Sequence, residues 1–278
     1  MSDLTDQSYL LNEQYKDASN LNARIQLHAR FSTNKRGWNR WLFDQFKIAP
    51  GSRILELGCG PGKLWLSNRD RIADDWQITL SDFSPGMLQE AQQNLSQRQH
   101  CFTFRVIDAQ TIPFDDASLD VVIANHMLYH VPDRSRALAE IRRVLKADGR
   151  LYASTIGDTH QHEIRDLMGR VDRRFSQRST SFSFTLENGA EQLAHWFASV
   201  TLYRYQDALV VTEVEPLIEY ILSGQAKAVF VGEKLQRLRE LLKQELIAQK
   251  AIYITKDSGL FEAFGSAGRV IGPSPDAR

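Results

Sequence analysis

Arg53-Ile54-Leu55-Glu56-Leu57-Gly58-Cys59-Gly60-Pro61-Gly62 joins a short apolar run to three closely spaced glycines. An apolar run that stops at glycine reads as a buried strand entering a turn. Glycine tolerates positive φ and carries no side chain, so the backbone there can approach a ligand. Working outward, strand-like runs recur at 77–80, 102–107, 119–124 and 150–155, each followed or preceded by a helical pattern. Residues 63–73 fit a helix. Ser84-Pro85 opens another, with Ser84 as N-cap and Pro85 in the first turn. Asp133 caps a third that carries Leu138, Ile141, Val144 and Leu145 on one side, with Gly149 expected after its end. Such alternation implies an α/β fold, a Rossmann-like open twisted sheet with right-handed crossovers. In such sheets ligands bind outside the carboxyl ends of the strands.

The spacing of polar residues narrows the ligand. The dinucleotide fingerprint G-x-G-x-x-G needs its third glycine five positions after the first. Here the glycines stand at 58, 60 and 62, and position 63 is Lys. Gly62-Lys63 is followed by Leu64, so the phosphate loop G-K-[ST] is absent as well. Instead Glu56 stands two residues before the first glycine, where a carboxylate meets a cation and repels a pyrophosphate. Asp82 ends the second strand, placed to accept hydrogen bonds from ribose hydroxyls. Asp108, ahead of Ala109 and Gln110, ends the third and can read an exocyclic adenine amine. An adenosine with a cationic amino-acid tail fits all three acids, and S-adenosylmethionine is such a ligand.

At this point the chain resembles the class I S-adenosylmethionine-dependent methyltransferases, in the branch of the ubiquinone-biosynthesis methylases and many small-molecule methylases. The matching stretches are ELGCGPG (56–62), LSDFSPGML (80–88), VIDAQTIPFDDASLDVVIANHMLYHVPD (106–133) and LKADGRL (145–151). The resemblance covers about residues 50–156. It implies a mostly parallel sheet with an antiparallel final strand and a helical cap. It also implies that Glu56, Gly58, Cys59 and Gly60 line the methionine part of the cofactor. Asp82 would hold the ribose, Phe83 and Met87 would pack on the adenine or sugar, and Asp108, Ala109 and Gln110 would bound the adenine. Asn125 would lie beside the sulfonium, with S-adenosylhomocysteine as product.

Other residues keep two readings. His126 and His130 are the catalytic candidates, since a histidine near the sulfonium can take a proton from an acceptor; the other reading is that His130 bonds a backbone carbonyl and shapes the loop, and Tyr129 can close the pocket. Cys59 reads as a small filler, Asp115, Asp116 and Asp120 as turn and strand-edge acids. Trp38 and Trp41 read as core rather than as a substrate platform. His160 and His162 read as surface residues with no third ligand at metal spacing, so no metal is expected.

The organisation expected is a helical cap segment at 1–48, a cofactor-binding core at 49–157 and a helical cap insertion at 158–199. The sheet resumes at 200–265, with inserted helices at 214–250, and a flexible tail follows at 266–278. Phe175, Phe182, Phe184, Trp196, Phe197 and Tyr220 in the cap suggest a small, partly apolar acceptor methylated at O, N or C. The composition is ordinary: 278 residues, 42% hydrophobic and 24% charged, with 34 Lys plus Arg against 34 Asp plus Glu. Zero net charge lacks the field that holds nucleic acid or anionic lipid non-specifically, so neither is an expected partner. No span, signal peptide or disulfide framework is evident, and a reduced cytoplasmic protein is expected. Two alternatives remain. A methylase of RNA or protein would use Arg165, Arg170, Arg173, Arg174 and Arg178. A non-catalytic protein would only bind the cofactor. The oligomeric state is not legible.

Overall fold

The computed structural model describes residues 5–6, 19–176 and 183–267, so Phe182, Arg178 and the tail from 268 lie outside the described residues. Seven strands form one sheet: β1 (Arg53–Leu57), β2 (Gln77–Asp82), β3 (Phe102–Val106), β4 (Leu119–Asn125), β5 (Leu145–Ile156), β6 (Phe197–Val211) and β7 (Ile252–Ser266). Their spatial order is β3-β2-β1-β4-β5-β7-β6. The first five strands run parallel, and β7 runs antiparallel to both β5 and β6. The antiparallel strand is therefore β7, as expected for this fold type. Strand order reverses between β1 and β4, which opens a crevice at their carboxyl ends.

Helices cover both faces. They are α1 (Ser19–Phe31), α2 (Trp38–Asp44), α3 (Lys63–Ser67), α4 (Pro85–Asn94), α5 (Arg134–Val144), α6 (His162–Val171), α7 (Gly189–Ala194), α8 (Val214–Leu222) and α9 (Gly232–Gln249). The Oγ of Ser84 accepts from Met87 N at 3.3 Å, and Asp133 Oδ1 accepts from Arg136 N at 2.9 Å, so both expected caps form. Because strand side chains alternate, Leu55, Leu57, Val122 and Ala124 pack one face, against Leu138 and Ile141 of α5. Ile54, Val121 and Ile123 pack the other, against Leu42 and Trp65. Each such fully buried aliphatic side chain contributes about 1.5–3 kcal/mol.

Several bounds differ from the sequence expectation. The helical stretch at 21–48 is two helices, split where Gly37 takes φ +77°. The helix at 63–73 stops at Ser67. α5 runs directly into β5 at Leu145, so Gly149 lies inside a strand rather than after a helix. Among the described residues of 158–198 the α-helices are α6 and α7, and β6 begins at Phe197. β7 continues eleven residues past Thr255, to Ser266.

A second apolar core stands on the distal halves of β6 and β7. Leu209, Val211, Ile252 and Ile254 pack there with Leu27, Ile164, Leu217, Ile218, Phe230, Leu238 and Leu242. It is reached through α1, α6, α8 and α9. No helix of the described residues is long and apolar enough to cross a membrane.

Candidate active site

The turn after β1 is held tightly. Cys59 N donates to Ser81 O at 2.8 Å, and Gly62 N donates to Cys59 O at 3.1 Å. Gly58, Gly60 and Gly62 have φ of +66°, +53° and +72°. A Cβ on Gly58 would lie 2.8 Å from the Cβ of Met127, so the loop after β4 presses directly on the loop after β1. Gly58→Ala combines that clash with a left-handed backbone, so we expect it to cost about 2–3 kcal/mol. Thermal denaturation should show a Tm lower by roughly 5 °C; an unchanged Tm would contradict the packing described.

Glu56 and Asp82 flank this loop. Glu56 is 1% exposed, and its Oε2 accepts from Trp65 Nε1 at 2.6 Å. No ion pair to it forms among the described residues. Burial pushes its carboxyl up to about 8; the Trp65 bond opposes the shift and the Asp82 charge adds to it. Asp82 accepts from Gly60 N at 2.9 Å through Oδ2 and from Ser84 N at 2.8 Å through Oδ1. Its pKa is raised by burial and held back by those backbone donors. Each oxygen keeps a second lone pair. Phe83 is half-buried, and Met87 is 1% exposed, in the first turn of α4.

Asp108 folds on itself. Its Oδ1 accepts from Gln110 N at 2.9 Å, both oxygens accept from Gln110 Nε2, and Gln110 Oε1 accepts from Asp133 N. Ala109 beside it is buried. This is an Asx-type turn that ties β3 to α5.

The third wall follows β4. Ser154 Oγ donates to Asn125 Oδ1 at 2.6 Å and accepts from His126 N at 3.0 Å. Trp38 Nε1 also donates to Asn125 Oδ1, at 3.3 Å. These bonds hold His126 at φ +54°, a conformation uncommon for a side-chain-bearing residue and concentrated at functional sites. Its ring lies against Trp38 with centroids 5.0 Å apart. Burial, together with the like charges of His160, Lys256 and His130, drives its pKa down to about 3. His130 N donates to Met127 O, and its ring meets Tyr129 at 4.5 Å.

One sequence reading is extended and another needs correction. Trp38 and Trp41 pack on the core, but Trp38 also roofs the Asn125–His126 turn, with Tyr205 edge-on at 5.3 Å. His160 is not a surface residue. Its Nδ1 lies 3.1 Å from Asp257 N, and burial drives its pKa down to about 3. His162 is exposed as expected. The expected cap aromatics divide: Phe184 and Phe197 are sheet core, while Phe175 packs on Phe230 in the second core and Tyr220 packs against that core. Trp65, Ser154 and Tyr205 were not legible as site residues, since nothing in the local pattern marks them. Among the described residues no three His, Cys, Asp or Glu side chains gather as a metal site would require.

Comparison with known proteins agrees with this geometry. Residues 55–153 match the family model described as "Methyltransferase domain". The ubiquinone/menaquinone biosynthesis C-methyltransferase UbiE of Xanthomonas oryzae pv. oryzae is 27% identical over 166 residues, covering 55% of this chain and 64% of that protein. The chain thus spans just under two thirds of that relative. Phosphoethanolamine N-methyltransferase 2 of Haemonchus contortus, solved with S-adenosyl-L-methionine, shares the fold at a TM-score of 0.59 and 18% identity, covering 96% of this chain and 60% of that one. The [4+2]-cyclase SpnF shares it at 0.52 and 18%, covering 83% and 81%. Residues 55–153 thus match a methyltransferase domain, with a strand order and glycine loop similar to those of class I S-adenosylmethionine-dependent methyltransferases.

Proposed function

We propose that the chain transfers the methyl group of S-adenosylmethionine to a small-molecule acceptor at O, N or C. The observation that carries this reading is Glu56: a carboxyl buried beside the glycine loop and Asp82, with an indole N–H as its hydrogen-bond donor and no cation paired to it. The ammonium of a methionine tail supplies the missing charge. Gly58, Cys59 and Gly60 would line that tail, and the free lone pairs of Asp82 would accept the ribose hydroxyls. Phe83 and Met87 would flank the sugar and adenine. Asp108, Ala109 and Gln110 would bound the base through their turn. Bound there, the sulfonium supplies an activated methyl group. Asn125 and His126 would then align the acceptor, while Trp38 and Met127 exclude water.

A pKa near 3 makes His126 a neutral hydrogen-bonding group rather than a strong base at pH 7. His130 is the second candidate in the same loop. The elements around the second core, 158–199 and 214–250, would serve as the cap. The quinone-biosynthesis role in the relative's name supports a small, partly apolar acceptor. Two free cysteines, Cys59 and Cys101, support a reducing compartment such as the cytoplasm.

Methylation of RNA or protein is less well supported. Arg170 pairs with Glu245 and Arg174 with Asp172, while Arg165 donates to the carbonyls of Asp158 and His160. Those side chains are spent within the fold. With methyl-labelled cofactor and a metabolite extract, label should appear in a small-molecule fraction. Label in RNA or protein would favour the second reading, and cofactor binding without any transfer would leave a binding protein.

A further inference from the structure

Four buried side-chain atoms among the described residues have no hydrogen-bond partner: His28 Nδ1, Gln161 Nε2, Tyr205 Oη and Arg142 Nη1. Such atoms are rare in folded proteins and cost about 1–3 kcal/mol each when unmet. Arg142 lies apart, on α5 over the Phe197 ring. The other three gather beyond the carboxyl ends of β4 and β5, outside the segment matched by the methyltransferase family.

The sheet register places them there. Asn125 pairs across to Ser154, Leu260 and Tyr203 in one row; Ile156, Ser258 and Tyr205 form the row two residues further out. Tyr205 is 2% exposed, and its ring packs on Trp38 at 5.3 Å and Trp41 at 5.0 Å. Trp38 in turn lies on His126. Gln161 is 8% exposed, at the start of α6 with φ +55°. Its Oε1 accepts from Tyr220 OH, which leaves the amide nitrogen unmet. Tyr220 meets the edge of His28 at 5.9 Å.

This wall is polar, and the charged side chains around it are engaged within the fold. Lys256 and Asp207 close on each other at 2.5 Å with side chains 9% and 0% exposed, and Ser32, Thr33 and Asn34 also bond Asp207. Arg24 donates to Ser223. His160 Nδ1 accepts from the Asp257 backbone. Burial keeps the His28 imidazole neutral, with a pKa near 3. Among the described residues Arg24 and Arg165 carry no paired carboxylate but give their N–H groups to Ser223 and to the carbonyls of Asp158 and His160, so a carboxylate or phosphate entering here would have to break those bonds, and a bare anion in such a place is costly.

We propose that Gln161, Tyr205 and His28 form the polar wall of the acceptor pocket and select an uncharged acceptor whose carbonyl, ether or hydroxyl oxygen takes the Gln161 amide N–H. This rests on the methyl-transfer reading and adds specificity to the same site. The acceptor's reacting atom then points back toward Asn125 and His126.

The test uses 4-hydroxyacetophenone and 4-hydroxybenzoate, which share ring and phenol and differ in the charge on the para carbonyl group. Each is titrated by calorimetry into the full chain saturated with S-adenosylhomocysteine. We expect the ketone to bind at least about tenfold more tightly. Gln161→Leu and Tyr205→Phe should each weaken it about fivefold or more while leaving the S-adenosylhomocysteine Kd unchanged. Tyr205→Phe should also keep or raise the Tm of the unliganded protein, because the hydroxyl removed bonds nothing; a structural hydroxyl would lower it. Equal or tighter binding of the benzoate, no binding of the ketone, wild-type affinity in both variants, or a lower Tm in Tyr205→Phe overturns the proposal. Failure of S-adenosylhomocysteine itself to bind is a different result and removes the methyl-transfer reading beneath it.

Discussion

Asp82→Ala should lower affinity for S-adenosylhomocysteine by two to three orders of magnitude in calorimetry at pH 7.5. The carboxylate stands where β2 ends, and its two oxygens already tie down Gly60 N and Ser84 N. Removing it would delete the acceptors proposed for the ribose hydroxyls. It also frees the Gly60 amide, so the loop after β1 loses its anchor. Each hydrogen bond to a charged group is worth about 1.5–3 kcal/mol, and a pair gives about 3–6, of which loop relaxation recovers part. Asp82→Asn keeps one acceptor oxygen and should lose roughly tenfold. Near wild-type affinity in Asp82→Ala would place the ribose elsewhere.

Glu56 gives the second large effect, through pH. In the unliganded protein its carboxyl is pushed up from an ordinary value of 4.5 to about 8, chiefly by burial. The folded state therefore holds a proton that the unfolded chain releases above pH 4.5. Its favourable contribution is complete below pH 4.5 and is lost as the pH climbs toward 8. At about 1.4 kcal/mol per pH unit, the loss approaches 4–5 kcal/mol. His28, His126 and His160, each held near 3, act in the opposite sense and weaken the fold as pH falls below 6.5. Comparison with Glu56→Gln isolates the carboxyl, because the amide keeps the acceptor for Trp65 and never ionises. Denaturant titrations at pH 5 to 8 should show the variant gaining on the wild type at each step. A ligand ammonium beside Glu56 reverses the preference. Wild-type protein should release up to one proton on binding S-adenosylhomocysteine at pH 7, counted by calorimetry in buffers of different ionisation heat. Parallel pH curves for the two proteins, with no proton released, would contradict the geometry around Glu56.

The parts of this molecule legible in its sequence are those where one segment carries its own signal. Val121 to Ala124 of β4 form an unbroken apolar run because both faces are covered, and all four are buried. The glycine loop, Glu56 and Asp82 follow strands read the same way. β7 escaped detection past Thr255 because Lys256, Asp257 and Ser258 interrupt its apolar pattern; Lys256 is in fact buried against Asp207. The segment 158–198 reads as mainly helical, yet Thr185 and Asn188 spend their side chains on local turns. The acceptor side was hidden for another reason. Trp38, His126 and Tyr205 come from three separate elements, and no spacing in a linear chain announces that they meet. Trp65 sits nine residues from the carboxyl it serves, on a helix whose pattern marks it only as core.

The longest ladder in the sheet joins β6 to β7 from Phe197–Ser266 to Val211–Ile252, while β5 follows β7 only as far as Ser258. The outer half of this two-stranded ribbon overhangs the parallel strands and bears the helices of the second core, while its inner half completes the first. Both cores hang on the same backbone hydrogen bonds, so neither can melt and leave the other intact. Heat or denaturant should dismantle the protein in one cooperative step, and a recombinant fragment ending at Ile156 would expose a raw, sticky β5 margin rather than yield a tidy minimal enzyme.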